Sequence, residues 1–442
     1  MKFVSTRNKK LAADFSTAIF TGMPPDGGLY EPAGKISLKE IYSSFDKTTS
    51  FQKLSEKAAV KLLAPEIEQE AAFDIVKTAF TFSPAIRKLD ESIFLLELFH
   101  GPTCAFKDFG AAFLAASSER LLDNGSKRAL VLVATSGDTG GAVARAFLNR
   151  KGIDVVILYP SHRVSPLQEK QLTTLGGNIN ALEVKGSFDD CQRMVKEAFL
   201  DKEIRSSINL TSANSINPGR LIPQSFYYMY GYLALQEQLS ADNANKDFAF
   251  CVPSGNFGNL TAGILASEWG LPVSRYIAAT NINDVVPAYL KSGIFKPRSS
   301  VPTLSNAMDV GNPSNFERLL AIFHNDSNLM SSVIHGETVT DTDTLKTIKE
   351  VYEKYGIFID PHTAVGYRAA QRYLKHTTQK GLRIMILSTA HPGKFTETVF
   401  KATGYKPDIP ETLKILLNKP KKSTIIDPST RILKEYILSR FV

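Results

Sequence analysis

The chain has 442 residues, 43% hydrophobic and 22% charged, with a net charge of +8; this is the make-up of an ordinary soluble globular protein with material for two or three domains. The positive charge is dispersed apart from Lys419-Pro420-Lys421-Lys422, and no basic face interleaved with aromatics marks a nucleic-acid surface, so substrate steering and plain solubility are the readings left for it. No apolar run reaches the length of a membrane span, the three cysteines form neither a disulfide framework nor a zinc pattern, and the seven histidines contain no H-E-x-x-H, so no metal site is expected.

Residues 1–92 read as a first unit. Met1 to Ala13 is basic and free of acidic residues but has no secretory apolar core. A turn-rich loop, Asp26-Gly27-Gly28-Leu29-Tyr30-Glu31-Pro32, precedes two helical patterns at 51–63 and 65–79, which predict a helical layer packed on the body of the protein. From 93 to 216, strands predicted at 93–99, 129–133, 154–159 and 181–184 alternate with helices at 108–122, 141–150, 166–175 and 188–200. From 217 to 442 the alternation resumes, with helices at 221–239, 260–269, 344–355 and 364–374 and strands at 248–252, 275–279 and 383–387. The stretch 291–315 is irregular and polar, as a lid would be, and 425–442 reads as a short terminal helix. The pattern predicts an α/β protein with two parallel-sheet domains, 93–216 and 217–442, behind an N-terminal region.

Three loops carry the chemistry, each at a predicted strand end followed by a helix, which is where ligands bind in open α/β sheets. The first is His100-Gly101-Pro102-Thr103-Cys104-Ala105-Phe106-Lys107-Asp108-Phe109. Gly101-Pro102 breaks the apolar run, so Lys107 falls where strand gives way to helix, between Phe106 and Phe109. Aromatic surroundings disfavour an ammonium and make a neutral, nucleophilic amine available for Schiff-base chemistry. A helix-start lysine that snorkels to water fits the same residues. Cys104, three residues earlier, is a candidate lining residue or a small filler.

The second loop is Ser254-Gly255-Asn256-Phe257-Gly258-Asn259. Closely spaced backbone N–H groups at a helix start favour an anion, and two glycines allow close approach. The loop lacks the Lys-Ser/Thr pair of a P-loop, and a tight strand–helix turn explains it equally well. The third loop is Ser388-Thr389-Ala390-His391-Pro392-Gly393, in which Thr389 suits either a hydrogen bond to a ring nitrogen or a helix cap. A further strand–helix junction, Thr135-Ser136-Gly137-Asp138-Thr139-Gly140-Gly141, offers amides and hydroxyls for a carboxylate, or a capping box. Cations for a phosphate are sought at Arg220, within Asn214-Ser215-Ile216-Asn217-Pro218-Gly219-Arg220, and at Arg163 and Lys170.

Taken together and in this order, these motifs resemble the threonine synthase family, within the tryptophan-synthase-β-like, fold type II pyridoxal phosphate enzymes. The resemblance begins at Ser5-Thr6-Arg7, runs through Asp26-Gly27-Gly28-Leu29-Tyr30 and Thr135 to Gly140, and covers essentially the whole chain. It implies that Lys107 holds pyridoxal 5'-phosphate as a Schiff base and moves the protons. It assigns Gly255, Asn256, Phe257, Gly258 and Asn259 to the cofactor phosphate, Thr389 to its ring nitrogen, and Ser136, Asp138, Thr139 and Arg220 to the substrate. The Pro218-Gly219 pair departs from the family pattern and leaves the placement of Arg220 open.

The implied reaction takes O-phospho-L-homoserine and water to L-threonine and phosphate, the last step of threonine biosynthesis. A cytoplasmic monomer or homodimer is expected, with a small-molecule substrate, no nucleic acid and no membrane, because the family pattern starts too early to leave a removable leader. Two alternatives remain at this point: a related lyase or dehydratase giving 2-oxobutyrate, and a phosphate-ligand binding protein without catalysis.

Overall fold

The computed structural model describes residues 1–34, 36–122, 128–135, 137–236 and 248–442. Its centre is a six-stranded sheet in the spatial order Ile334–Thr338, Arg275–Thr280, Phe248–Pro253, Arg383–Ser388, Ile93–Glu97 and Ala85–Lys88. Every pair is parallel except the last, where Ala85–Lys88 closes one edge antiparallel. The central strands are continuous apolar runs because both faces are covered. Their period-two alternation divides the core: Phe94, Leu96, Phe248, Phe250, Val252, Met385 and Leu387 face one cluster. Ile93, Leu95, Ala249, Cys251, Ile384 and Ile386 face the other.

A second, five-stranded sheet is parallel throughout, in the order Thr424–Ile426, Ile179–Val184, Ile153–Pro160, Ala129–Ala134 and Asn209–Thr211. Two sequence expectations change here. Ile93–Glu97, read as the opening strand of the smaller unit, pairs with Arg383–Ser388 in the larger sheet. The end of the chain, read as one helix, is a strand, Thr424–Ile426, followed by the helix Thr430–Phe441, and both pack on the smaller sheet. Sheet membership depends on pairing between distant segments, which local periodicity does not encode.

The N-terminal region is not helical throughout. Phe3–Ser5 pairs antiparallel with Ala12–Ala13 and Tyr30–Pro32 before the helices Phe51–Leu63 and Gln69–Ala79 begin. These helices press Phe51 and Phe80 onto Phe109 of the helix Lys107–Leu121, at ring-centroid distances of 5.3 and 5.9 Å. Truncating a fully buried ring such as Phe109 costs about 3–5 kcal/mol, so this contact fixes the helix that begins with Lys107. The helix expected over 221–239 divides into Pro218–Leu221 and Gln224–Leu235, and its last three predicted residues lie outside the described ones. Of the stretch 291–315, Lys291 and Ser292 end the helix Val285–Ser292, and the rest is irregular apart from a single 3₁₀ turn, Asn306–Met308. Among the described residues no helix is long and apolar enough to cross a membrane.

Candidate active site

Ile93–Glu97, Arg383–Ser388 and Phe248–Pro253 are neighbours in the larger sheet, so the loops leaving their C-terminal ends meet. The first two are tied by main chain. The N–H of Leu98 donates to Ser388 O, that of Phe106 to Thr389 O and that of His391 to Cys104 O, at 2.9, 2.9 and 3.1 Å. Ala105 and Ala390 form an isolated antiparallel bridge. Cys104 turns the chain at φ 56°, and the helix starts at Lys107. Lys107 and Thr389 are therefore held on adjacent loops by backbone bonds that few single substitutions would disturb.

Lys107 is half-buried, with its ammonium 5.1 Å from the Phe106 ring centroid. Burial pushes its pKa below the ordinary lysine range; Asp138 opposes this, and the nearby Arg220 and Lys394 charges add to it. Asp108, the next residue, turns inward and is wholly enclosed by the turn before it. Thr103 donates to its carboxylate from the N–H at 2.8 Å and from the hydroxyl at 2.6 Å. Burial nevertheless lifts the Asp108 carboxyl to about 6.

The loop after Ala129–Ala134 reaches this centre from the smaller sheet. Thr135 Oγ1 accepts from the N–H groups of Gly137 and Gly140 at 3.0 and 2.9 Å. Gly137 has φ 148°, and a Cβ there would lie 2.7 Å from the Gln168 side chain, so only glycine fits. Asp138 begins the helix Asp138–Phe147, with Oδ1 accepting from Lys394 Nζ at 2.8 Å and from Gln168 Nε2 at 2.9 Å. Burial works against its charge, but the Lys394 and Lys107 ammoniums hold the carboxyl below the usual range. Asp138, expected as a substrate contact, is thus already engaged by protein groups. Thr139 is half-buried beside it, and Ser136 lies outside the described residues.

The loop after Phe248–Pro253 is shaped by its side chains. Asn256 donates to Ser215 Oγ at 2.6 Å and accepts from the Ser314 N–H at 2.5 Å. Asn259 donates to Pro253 O at 2.8 Å and accepts from the Leu260 N–H at 2.9 Å. Phe257 sits in the left-handed region at φ 60° and leads into the helix Gly258–Glu268. Among the described residues no acceptor takes the N–H of Gly255, Asn256, Phe257 or Gly258. A Cβ on Gly255 would lie 2.6 Å from Met308 Cα and 2.9 Å from Ala307 O, so the cup closes only around glycine. Free amides at a helix start with close backbone approach fit a phosphate ester of the size pyridoxal phosphate carries.

Arg220 is buried at the end of the short helix Pro218–Leu221. One terminal nitrogen donates to Ala213 O at 2.9 Å, and among the described residues its buried Nε has no partner. Burial lowers its pKa to about 10, which leaves it charged at neutral pH, with Asp108 working the other way. Its backbone passes so close to Gly110 that a Cβ there would lie 2.7 Å from Arg220 O. The other candidate cations lie elsewhere: Arg163 is exposed and Lys170 donates to Lys419 O at 2.5 Å.

Sequence reasoning missed Lys394 and Gln168. Lys394 lies five residues after Thr389 and also donates to Thr103 O at 2.9 Å; Gln171 reaches the same oxygen at 3.1 Å. The available signal was a carboxylate at the start of an apolar helix, which requires a counter-charge somewhere in the fold. A cavity of about 570 Å³ lies behind the Gly101–Cys104 turn, lined by Glu97, His100, Cys104, Ser388 and His391 among others, and does not reach Lys107.

The chain matches a family model described as pyridoxal-phosphate dependent enzyme over residues 72–390. Models for the threonine synthase N terminus and the threonine synthase C-terminal region match residues 2–80 and 363–437. The chain is 40% identical to threonine synthase of Buchnera aphidicola (subsp. Acyrthosiphon pisum) over 441 residues, covering 100% of both. It superposes on the crystal structure of threonine synthase from Escherichia coli with a TM-score of 0.88, at 38% identity over 99% of this chain and 100% of that one. It superposes on PLP-bound threonine synthase from Brucella melitensis with a TM-score of 0.91, at 34% identity over 100% of this chain and 99% of that one. With these matches along its full length, the chain belongs to the threonine synthase family of fold type II pyridoxal-phosphate-dependent enzymes.

Proposed function

We propose that the protein converts O-phospho-L-homoserine and water to L-threonine and phosphate, using pyridoxal phosphate held at Lys107. The observation that carries this reading is the desolvated Lys107 amine, on a loop bonded to the Thr389 loop, one strand away from the cup at Gly255–Asn259. Bound there, pyridoxal phosphate supplies an electron sink that makes protons on the substrate α- and β-carbons removable.

The remaining work falls to residues of the chain. The amides of Gly255, Asn256, Phe257 and Gly258 hold the cofactor phosphate, and Asn259 braces the loop through Pro253. The Thr389 hydroxyl meets the ring nitrogen as a neutral partner. With the cofactor bound, Lys107 Nζ would be the group that carries protons at the substrate α-, β- and γ-carbons, and its lowered pKa leaves more of it as free amine than in an ordinary lysine. Arg220, with an unpartnered Nε, receives the substrate phosphate and stabilises it as it leaves. Ser136, Thr139 and the first amides of the helix Asp138–Phe147 take the substrate carboxylate. Asp138 holds that loop against Lys394 and adds negative charge beside Lys107.

The reading places the enzyme in the cytoplasm as a monomer or homodimer with no nucleic-acid partner, and three buried free cysteines fit a reducing compartment. The deciding experiment incubates the purified holoenzyme with O-phosphohomoserine and identifies the product. Threonine with an equal amount of phosphate is expected, the outcome of a carbon–oxygen lyase acting on a phosphate ester; 2-oxobutyrate with ammonia would instead make it a deaminating lyase or dehydratase.

A further inference from the structure

The 3₁₀ turn Asn306–Met308 forms the outer wall of the phosphate cup, because Gly255 packs directly on Met308 Cα and Ala307 O. One side of this turn is held by Asp309, which accepts from Thr303 Oγ1 at 2.7 Å, Asn281 Nδ2 at 2.9 Å and Asn283 Nδ2 at 3.1 Å. The other side is held by a histidine. The N–H of Ala307 donates to His362 Nε2 at 3.2 Å, and His362 Nδ1 lies 2.7 Å from Asp360 Oδ1. Both side chains are buried, with exposures of 4% and 0%. A ring nitrogen that accepts a backbone N–H carries no proton, so Nδ1 carries it and donates to Asp360.

Asp360 also reaches the other end of the site. It caps the helix Pro361–His376 and accepts from Thr363 Oγ1, which lies 2.9 Å from Ser388 Oγ, one residue before Thr389. One buried carboxylate thus braces the wall of the phosphate cup through His362 and the Thr389 strand end through Thr363.

We propose that His362 is a positioning residue for the cofactor phosphate: held in the Nδ1–H tautomer by Asp360, it pins Ala307 and Met308 against Gly255 and sets the width of the cup. The inference rests on the assignment of Gly255–Asn259 to the cofactor phosphate. It makes His362 more than a core histidine, because its loss should act on cofactor retention through one acceptor atom.

Two variants separate these roles. His362→Asn keeps an amide facing Asp360 but places nothing at the Nε2 position. His362→Gln extends an oxygen to that position and can still accept from Ala307. The measurement is the rate at which each holoenzyme loses pyridoxal phosphate to a phosphate-free buffer, with the ³¹P resonance of the bound cofactor and the melting temperature of each apoprotein. We expect His362→Asn to lose cofactor faster by about tenfold with a shifted ³¹P line, and His362→Gln to stay near wild type, with similar apoprotein melting for both. Equal retention in His362→Asn and wild type overturns the inference and leaves the cup assignment standing. A wild-type ³¹P line identical to that of free pyridoxal phosphate overturns the cup assignment and the inference with it. Selective ¹⁵N-histidine labelling of the wild type gives a test that needs no variant, since an Nε2–H tautomer at His362 contradicts the proposal.

Discussion

Lys394 Nζ stands 2.8 Å from Asp138 Oδ1, with the two side chains only 1% and 4% exposed. The pair joins the loop of the smaller sheet to the 3₁₀ turn Pro392–Lys394 beyond a strand of the larger one, and Lys394 also binds Thr103 O in the turn before Lys107. A buried ion pair adds little net stability over an apolar pair, but removing one partner strands the other charge. We expect Lys394→Met to destabilise the protein by about 3–5 kcal/mol in urea unfolding, and Asp138→Asn/Lys394→Met to recover most of that loss. A double variant as unstable as the single one would show that the pair is not the source of the effect.

The same pair sets a pH dependence. Burial raises the cost of the Asp138 charge, but Lys394 and Lys107 outweigh it and hold the folded-state pKa below the unfolded one. A carboxyl depressed in this way contributes stability above its unfolded pKa, about 3.9, and loses it as pH falls further. Asp108 acts in the opposite sense: with its folded pKa raised to about 6, the cost of its charge is relieved as pH falls from 6 towards 4. Melting temperatures of wild type and of Asp138→Asn/Lys394→Met, followed from pH 7 to pH 3, should differ in slope below about pH 4, where Asp138 titrates. Parallel curves throughout would remove Asp138 as the titrating group.

The junctions that carry the candidate site could be read without coordinates because each is local. A turn pair ahead of Lys107, two glycines around Asn256 and a threonine after an apolar strand each record a strand–turn–helix junction within a few residues. Lys394 and His362 were not legible in that way. Their partners are Asp138 and Ala307, 256 and 55 residues away in sequence. The pairing of Ile93–Glu97 with Arg383–Ser388 brings the Lys107 and Lys394 segments together. The sheet assignments of Ile93–Glu97 and Thr424–Ile426 were missed for the same reason, since a strand's own residues specify its burial more strongly than its neighbour.

Gly255 has no room for a side chain. A Cβ would lie 2.6 Å from the Cα of Met308, and the neighbour is backbone rather than a flexible side-chain tip. In Gly255→Ala the 3₁₀ turn must move outward and the cup widens. We expect cofactor affinity to fall by about tenfold or more, measured by fluorescence titration of the apoprotein with pyridoxal phosphate, while far-UV circular dichroism stays unchanged. Undiminished affinity would mean that the cup tolerates a moved wall.

Arg220 offers a direct test of where the substrate phosphate goes. Its buried Nε has no partner among the described residues, and a single terminal-nitrogen bond to Ala213 O fixes the fork. Arg220→Lys retains charge but not the two-pronged geometry. We expect kcat/KM for O-phosphohomoserine to drop about 100-fold or more, from loss of roughly 3 kcal/mol of phosphate stabilisation, with competitive inhibition by inorganic phosphate weakened in parallel. A variant that loses turnover but keeps wild-type phosphate inhibition would move the phosphate site elsewhere.

Lys107 is the residue on which turnover should depend most steeply. Burial holds its amine below the usual lysine range, with Asp138 opposing the shift, so more of the nitrogen is free amine than in an ordinary lysine. In Lys107→Ala the phosphate cup and the Thr389 loop are untouched, because the ties to Thr389 and Cys104 run through main chain. We expect this variant to bind pyridoxal phosphate but to trap none of it covalently with borohydride, and to turn over at least about 10³-fold more slowly than wild type. Added methylamine should restore part of the rate, with an efficiency that tracks the free-amine fraction as pH rises. Covalent trapping in the variant, at any other lysine, would show that Lys107 is not the residue that holds the cofactor.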